Sequence, residues 1–296
     1  MKLWNHYHTP TTTDEAVALL AQYAGAARII AGGTDLLIDL RAEGGQHMQE
    51  ALVDITRIQE LCTITQQDDH ILIGAGITHT QIVKSPVLNS RATALVESCG
   101  VVGGPQVRNV ATLGGNVAHA LPAGDGTTSL VALDAEAEII KDGERRWVPI
   151  LEMYLGPGKS LLDSTRDMLV RFRFALCGAG EATAFHRVMR PQGVALPVLG
   201  CAVWVRLAED GETFADARVC VAPVGPVPGR VTVAEETLIG AAATPATIAA
   251  AIDAAQAHLM PRTSKYRATA EYRQGMTATL MRQTLTAAVE RARHTL

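Results

Sequence analysis

Two pairs of adjacent glycines, far apart in the chain, constrain this sequence more than any other feature. One lies in residues 31–35 (AGGTD), directly after a short apolar run, and the other in residues 112–116 (TLGGN). Glycine has no Cβ, so a glycine pair lets backbone N–H groups turn outward and approach an anionic oxygen. The hydroxyls of Thr34 and Thr112 and the amide of Asn116 add side-chain donors. Together the segments predict a site that holds a pyrophosphate from two sides, although either pair alone is compatible with an ordinary tight turn.

Two other glycine motifs of nucleotide-binding proteins do not occur in the sequence. Neither glycine pair matches GxGxxG, the pattern of Rossmann dinucleotide sites. Residues 158–160 (GKS) match the end of a P-loop, but Met153 stands where that motif requires its first glycine. The predicted pyrophosphate site is therefore of another kind.

The composition is that of a globular protein and argues against several functions. Of the 296 residues, 48% are apolar and 19% are charged, and the length suits two domains or one large domain with a lobe. A net charge of −4 and an aromatic content of 4% do not favour nucleic-acid binding. The apolar runs are too short to predict a membrane span, and residues 1–17 do not read as an export signal. The sequence predicts a cytoplasmic protein.

The cysteines and histidines predict neither a metal site nor a catalytic residue in this chain. The five cysteines form no CxxC pair, so zinc and iron–sulfur clusters have no sequence support, and reduced, buried thiols are expected. His119 has no second histidine at metal-ligand spacing. No activated Ser–His or Cys–His pair is recognisable either.

Hydrophobic periodicity and turn residues predict an α+β chain. Thr12 or Thr13 is expected to cap a first helix, and the glycine-dense stretch 100–115 is expected not to be helical. In strand 168–175 the alternation places Met168, Val170, Phe172 and Phe174 on one face. The other predicted elements are strands 28–31 and 51–55, hairpins 62–65/70–74, 136–141/145–150 and 198–207/214–222, and helices 78–84, 87–99, 245–259 and 270–294. Changes of pattern near 56 and 176 divide the chain into units 1–56, 57–176 and 177–296.

Two further groups of polar residues are candidates for contacts outside the core. Asp125 follows the second glycine pair closely and is a candidate acceptor for ribose or adenine hydrogens, or it only caps a helix that begins near Thr127. The C-terminal stretch from residue 261 carries an excess of basic residues. Most are expected on a solvated helix face, whereas Arg262, Lys265 and Arg267 precede the helix and are alternative contacts for a partner or cofactor.

The motifs taken in order resemble one protein family. The segments IIAGGTDLLIDLR, GPQVRNVATLGGN, GPGKSLL and PRTSKYRATAEYRQGM occur along the chain in the order found in the FAD-binding, medium subunits of molybdenum hydroxylases. The chain looks most like the separate flavin subunits of bacterial xanthine dehydrogenases. The resemblance implies a two-lobed FAD-binding module of the p-cresol methylhydroxylase type, followed by a smaller α+β domain with an antiparallel sheet.

The resemblance also implies which residues bind FAD, which is expected to be non-covalent. Asp125 matches an acidic position that contacts the adenosine side, and Leu169 matches an apolar contact beside the flavin. Two positions depart from the family pattern: Val102 stands where eukaryotic relatives place an aromatic against the isoalloxazine ring, and His186 where many members have a lysine. The remaining implied ligands form the two glycine segments: Ile29, Ile30, Ala31, Gly32, Gly33, Thr34, Asp35 and Leu36 in the first, and Thr112, Leu113, Gly114, Gly115 and Asn116 in the second.

The function implied by the resemblance is electron transfer within a larger enzyme. A molybdopterin-binding large subunit would oxidise the organic substrate, a small subunit would carry two [2Fe-2S] clusters, and FAD on this chain would pass electrons to NAD or another acceptor. The implied assembly is a dimer of heterotrimers. Two alternatives remain open at this point: a flavin-binding scaffold or assembly protein without turnover, and a stand-alone FAD-dependent oxidase.

Overall fold

The computed structural model describes residues 2–42, 49–190, 196–265 and 267–296 of the chain. Helices and mostly antiparallel sheets alternate along it, which confirms the predicted α+β class. The fourth sequence motif, 261–276, includes residue 266, which lies outside the described residues.

The first unit is a small parallel sheet flanked by helices. Its strands are β1 (Trp4–His8), β2 (Ala27–Ile30) and β3 (Gln49–Asp54), in the order β1-β3-β2, and its helices are α1 (Thr13–Gln22) and α2 (Leu36–Ala42). The predicted cap of α1 is confirmed, because the Thr12 hydroxyl accepts a hydrogen bond from the Glu15 amide at 3.1 Å. Strand β2 ends one residue before the first glycine pair, and α2 begins directly after the loop that contains it.

The second unit is a five-stranded antiparallel sheet covered by helices. Its strands are β4 (Ile64–Gln67), β5 (His70–Gly74), β6 (Glu136–Lys141), β7 (Glu144–Pro149) and β10 (Met168–Ala175), whereas β8 (Tyr154–Gly156) and β9 (Lys159–Ser160) form a separate small hairpin. The order of strands in the sheet is β4-β5-β10-β6-β7. The helices are α3 (His79–Lys84), α4 (Pro86–Arg91), α5 (Thr93–Gly100), α6 (Pro105–Arg108), α7 (Leu113–Ala118) and α8 (Asp125–Ala132).

Strand β10 does not present one apolar face as the alternation predicted. Its pairing with β6 shifts register between Leu169 and Arg171, which marks a β-bulge. A bulge inserts one residue and reverses the alternation of side chains. Met168 and Val170 therefore pack with the first unit, whereas Phe172 and Phe174 pack under the helices of the second unit.

Two predictions about the helices are wrong in detail. The expected single helix 87–99 is two helices, α4 and α5, separated at Ala92, whose backbone (φ −154°, ψ 47°) is not helical. The stretch 100–115 was expected to be non-helical, yet α6 lies within it and α7 begins on the second glycine pair. The Thr112 hydroxyl accepts from the Gly115 amide at 2.9 Å, so an N-cap offsets the low helix propensity of glycine.

The C-terminal unit is an antiparallel sheet between two layers of helices. Strands β11 (Glu181–Met189), β12 (Pro197–Leu207) and β13 (Phe214–Ala222) pair in sequence order, and helices α9 (Thr232–Leu238), α10 (Pro245–His258) and α11 (Ala270–Arg293) follow. On one face of the sheet, Phe185, Ala202 and Cys220 belong to the core of the second unit. The other face packs on the C-terminal helices. No helix in the described part of the chain is long and apolar enough to cross a membrane.

Candidate functional site

The first glycine pair lies against the segment that leads into the second. A Cβ built on Gly32 would come within 2.2 Å of the Val110 carbonyl oxygen and 2.8 Å of Ala111 Cα. Real Cβ atoms do not approach backbone this closely, so only glycine permits the contact. The two segments that the sequence singled out are thus joined in the structure, through Gly32 and residues 110–111.

The first glycine segment presents a run of backbone amides. In the described residues, the amides of residues 32–36 donate no hydrogen bond. Gly33 adopts the left-handed conformation (φ +67°) that turns the chain from β2 into α2. Thr34 is half-buried, and its hydroxyl lies 3.4 Å from an Asp35 carboxylate oxygen. Consecutive unpaired amides at a turn before a helix form a concave donor site for an anion.

The second glycine segment is built differently, because its backbone amides bond within the protein. The Leu113 amide donates to the Ile77 carbonyl and the Gly114 amide to the Ala75 carbonyl, both at 3.0 Å. The Gly115 amide donates to the hydroxyl of Thr112, the N-cap of α7. A Cβ on Gly114 would lie 2.4 Å from the Ala75 oxygen. The outward-turned amides predicted from the sequence are therefore found in the first segment but not in the second. The second segment, called the ledge below, is held against residues 75–77 by these hydrogen bonds.

What the second segment offers to a ligand is the side chain of Asn116. Its Oδ1 is buried and has no hydrogen-bond partner in the described residues. This atom lies beside Gly124 and Gly126, where an added Cβ would come within 3.1 and 3.0 Å of it. A buried carbonyl oxygen without a donor is costly, and a hydroxyl or amine on a ligand would satisfy it.

His79 lies beneath the second glycine segment and is a residue that sequence reasoning missed. It is 1% exposed, its backbone amide donates to the Ala111 carbonyl at 3.1 Å, and its Nδ1 has no partner in the described residues. Burial, followed by the charge of Arg108, lowers the pKa of His79 to about 4. It is therefore neutral at physiological pH and supports the ledge without adding charge. A lone histidine in a sequence carries no signal for such a position.

Asp125 forms a buried ion pair that the sequence did not predict. Its carboxylate accepts from Arg187 Nη1 at 2.5 Å, and the two side chains are 5% and 7% exposed. The alternative in which Asp125 caps a helix from Thr127 is wrong, because α8 begins at Asp125 with Gly124 as its N-cap. Arg187 comes from β11, so the pair joins the C-terminal sheet to the helix that follows the second glycine segment. Arg187 Nε has no acceptor in the described residues.

The pH dependence of stability should report on this pair. Burial raises the pKa of Asp125 to about 6, although Arg187 acts in the opposite direction. A carboxyl group with a raised pKa in the folded state contributes stability below its unfolded pKa of about 3.9, and that contribution is lost as pH rises through the folded pKa. Relative to Asp125→Asn, we expect the free energy of unfolding of the FAD-free chain to fall by about 3 kcal/mol between about pH 4 and pH 7. Urea unfolding of both proteins across this range measures the difference, and a constant difference would contradict the assignment.

Three other predicted site residues lie in different surroundings. Val102 is half-buried in the glycine-dense stretch, and its carbonyl accepts from Arg108 Nη1 at 3.1 Å. Leu169, 6% exposed, belongs to the core under the second-unit helices. His186 neighbours Arg187 on β11, and neighbouring strand residues point to opposite faces. Its Nδ1 lies 3.3 Å from the hydroxyl of Thr284 on α11, so the structure does not bring His186 together with Asp125.

The residues present fit a nucleotide diphosphate. Unpaired amides of residues 32–36 suit phosphate oxygens, the glycines allow close approach of backbone, and Asn116 provides an unsatisfied acceptor for a hydroxyl or amine. In the described residues no cluster of three or more metal-ligating side chains occurs.

Family models and similar proteins match nearly the whole length of the chain. The family model "FAD binding domain in molybdopterin dehydrogenase" matches residues 3–177, and "CO dehydrogenase flavoprotein C-terminal domain" matches residues 183–288. The carbon monoxide dehydrogenase medium chain of Hydrogenophaga pseudoflava is 32% identical over 282 residues, covering 95% of this chain and 96% of that protein. The xanthine dehydrogenase FAD-binding subunit of Escherichia coli O157:H7 is 32% identical over 288 residues, covering 97% and 96%.

Solved structures show the same fold. A carbon monoxide dehydrogenase from Hydrogenophaga pseudoflava, which lacks the Mo-pyranopterin moiety of its molybdenum cofactor, superimposes with a TM-score of 0.90 at 32% identity over 98% of this chain and 99% of that one. A Cu,Mo-CO dehydrogenase in its cyanide-inactivated form gives a TM-score of 0.89 at 25% identity, with 99% and 100% of the chains covered. The chain therefore belongs to the family of FAD-binding medium subunits of molybdenum-dependent dehydrogenases.

Proposed function

We propose that this chain carries electrons from [2Fe-2S] clusters on a small partner subunit through FAD to NAD or another acceptor, within a dimer of heterotrimers that includes a molybdopterin-binding large subunit. The observation that carries the proposal is the pairing of a run of unbonded amides at residues 32–36 with the ledge at 112–116. When bound, FAD exchanges single electrons with clusters and transfers hydride to a nicotinamide.

Different residues are proposed to hold different parts of the cofactor. Residues 29–36 are proposed to bind the diphosphate, with Thr34 and the amides as donors. Asn116 is proposed to receive a hydrogen from the ligand at its buried Oδ1. Asp125 is proposed to lie at the adenosine side, where Arg187 holds its carboxylate in place. No residue needs to act as an acid or base on the organic substrate.

Three residues outside the glycine segments, the domain divisions and the location are also proposed from the sequence. Val102 and Leu169 are proposed to lie near the flavin ring, and His186 is retained only as a contact suggested by the resemblance. The divisions 1–56, 57–176 and 177–296 are supported by the ends of β3 and β10 at Asp54 and Ala175. The cytoplasmic location stays a prediction.

The first test of the proposal is the state of the flavin. We expect one FAD per chain, released into the supernatant on acid precipitation, because the anticipated contacts are hydrogen bonds and backbone approach. Absorbance of the supernatant and identification of the released flavin by chromatography measure this. Flavin that stays with the precipitate, or a full-length protein that binds none, would contradict the expectation.

Electron transfer is tested with the partner chains. Under anaerobic conditions, one equivalent of reduced [2Fe-2S] chain, whose two clusters supply the two electrons that FAD takes up, should bleach the flavin, and NAD should restore its absorbance if NAD is the acceptor. A scaffold protein would leave the flavin oxidised, and a stand-alone oxidase would be reduced by an organic substrate without the partners.

A further inference from the structure

A cavity of about 300 Å³, open to solvent, lies between α3 and α6 in the second unit. Its wall is formed by Thr80, Val83 and Lys84 of α3, by Pro105, Arg108 and Asn109 at α6, and by Gly100 at the end of α5. Residues three and four apart lie on the same face of a helix, so each of the two helices turns one face toward the cavity. None of these residues belongs to the glycine segments 29–36 and 112–116, so the cavity is a separate feature.

The guanidinium of Arg108 is fixed at this cavity and still has donors to offer. Its Nη1 donates to the carbonyls of Val102 and Gly103, at 3.1 and 2.8 Å. In the described residues, its Nε and Nη2 donate to no acceptor. Because the side chain is already held through one nitrogen, a ligand that binds to the other two causes little further loss of side-chain freedom.

Lys84 and Asn109 add donors to the same cavity. Lys84 is exposed, and among the described residues neither it nor Arg108 forms an ion pair with a carboxylate. Asn109 Oδ1 accepts from the Thr80 hydroxyl at 2.7 Å, so its amide hydrogens are the part left for a ligand. The described wall of the cavity therefore carries two positive charges and no negative one.

The rest of the wall is apolar. Val83 and Pro105 contribute side-chain carbons, and a Cβ added to Gly100 would meet only a methyl carbon of Val83, at 3.7 Å. Ligand cavities in proteins combine an apolar surface with a few converging polar groups, and this volume lies at the lower end of their range. The cavity thus suits a small anion that carries an organic part.

We propose that this cavity binds the phosphate ester of a small organic molecule, with Lys84, Arg108 and Asn109 holding the phosphate and with Val83 and Pro105 beside the organic part. A phosphate ester carries nearly two negative charges near neutral pH and several acceptor oxygens, which match two cations and an amide donor. The volume of the cavity suits a ligand of about the size of a nucleoside monophosphate. The inference does not depend on the proposed electron transfer, since the site is distinct from the one proposed for FAD.

The test is calorimetric titration of adenosine monophosphate, as the probe, into the full chain loaded with FAD, in low salt. Bound FAD fills the flavin site, so the probe cannot bind there. We expect one adenosine monophosphate per chain. Inorganic phosphate, which lacks the organic part, should bind more weakly, and adenosine, which lacks the phosphate, should show no detectable binding.

Three variants locate the bound probe. Lys84→Gln should weaken its binding about 10-fold or more, because a charge-assisted hydrogen bond is lost. Gly100→Leu should abolish binding with no change of charge, because the leucine side chain occupies the cavity. The control is Arg282→Gln, which removes an exposed arginine of α11 outside the cavity and should leave the affinity unchanged. All three variants should keep the FAD content of the wild type and melt at no lower temperature.

Several results would overturn the inference. The wild type fails to bind the probe, Lys84→Gln binds it as the wild type does, or Arg282→Gln weakens binding as much as Lys84→Gln does. Binding by the FAD-free chain alone would place the probe in the flavin site and overturn the inference as well. Failure of the [2Fe-2S] chain to reduce the flavin would contradict the proposed function and leave this inference standing on the titration.

Discussion

Replacement of Gly32 by alanine is expected to weaken FAD binding by about 100-fold or more, with the C-terminal unit still folded. The added Cβ would meet the Val110 carbonyl oxygen at 2.2 Å, so the two glycine segments must move apart. Overpacking against backbone of this kind costs about 3 kcal/mol or more, which corresponds to about two decades in affinity. Titration of FAD into the stripped wild type and variant, followed by flavin fluorescence, measures the change.

Two other glycines provide the controls for this experiment. Gly33→Ala should cost less, about 1–2 kcal/mol, because its strain comes from a positive φ and its nearest contacts are the movable side-chain ends of Ile30 and Leu37. Gly275 lies in α11, and a methyl group added to it would have no neighbouring heavy atom within 4 Å. Gly275→Ala should therefore stabilise the chain by about 0.5–1 kcal/mol and leave FAD affinity unchanged. Equal FAD affinity in the Gly32 variant and the wild type would remove the first glycine segment from the cofactor site.

Replacement of Arg187 by methionine is expected to lower the free energy of unfolding by about 3–5 kcal/mol near pH 7.5, because it leaves the buried Asp125 carboxylate without its partner. The loss should shrink near pH 5, where the carboxyl takes up a proton and the buried charge disappears. FAD affinity should fall as well, since Arg187 holds the carboxylate that is proposed to face the adenosine side.

A double-mutant cycle with Asp125→Asn makes this expectation specific. Adding Asp125→Asn to Arg187→Met should recover most of the lost stability, because no buried charge then remains. The control is Arg206→Met on β12. The Arg206 side chain is 48% exposed and lies 3.9 Å from the Asp216 carboxylate, so its replacement should change the free energy of unfolding by less than about 1 kcal/mol. Additive effects of the two substitutions in the cycle would show that Asp125 and Arg187 do not act as a pair.

The fold class and most elements could be predicted from local patterns. The hairpin of β12 and β13 around Asp210-Gly211 and the cap at Thr12 depend on neighbours in the sequence, and the structure confirms both. The same reasoning placed four β10 side chains on one face and was wrong, because a bulge depends on the pairing with β6. It also treated 87–99 as one helix, since nothing in the residues around Ala92 marks a break.

For the candidate site, local sequence was enough to identify the segments that matter, because a glycine pair after a strand is a local requirement for close backbone approach. The contact between Gly32 and Val110, which joins the two segments, arises only when the chain is folded. The distribution of hydrogen-bond donors also depends on the fold. Amides of the second segment donate to the carbonyls of Ala75 and Ile77, which are distant in sequence, whereas the amides of residues 32–36 donate no hydrogen bond. Arg187 meets Asp125, whereas the neighbouring His186 does not, because strand β11 presents alternate residues to opposite layers. Which of these layers holds α8 is a property of the assembled fold.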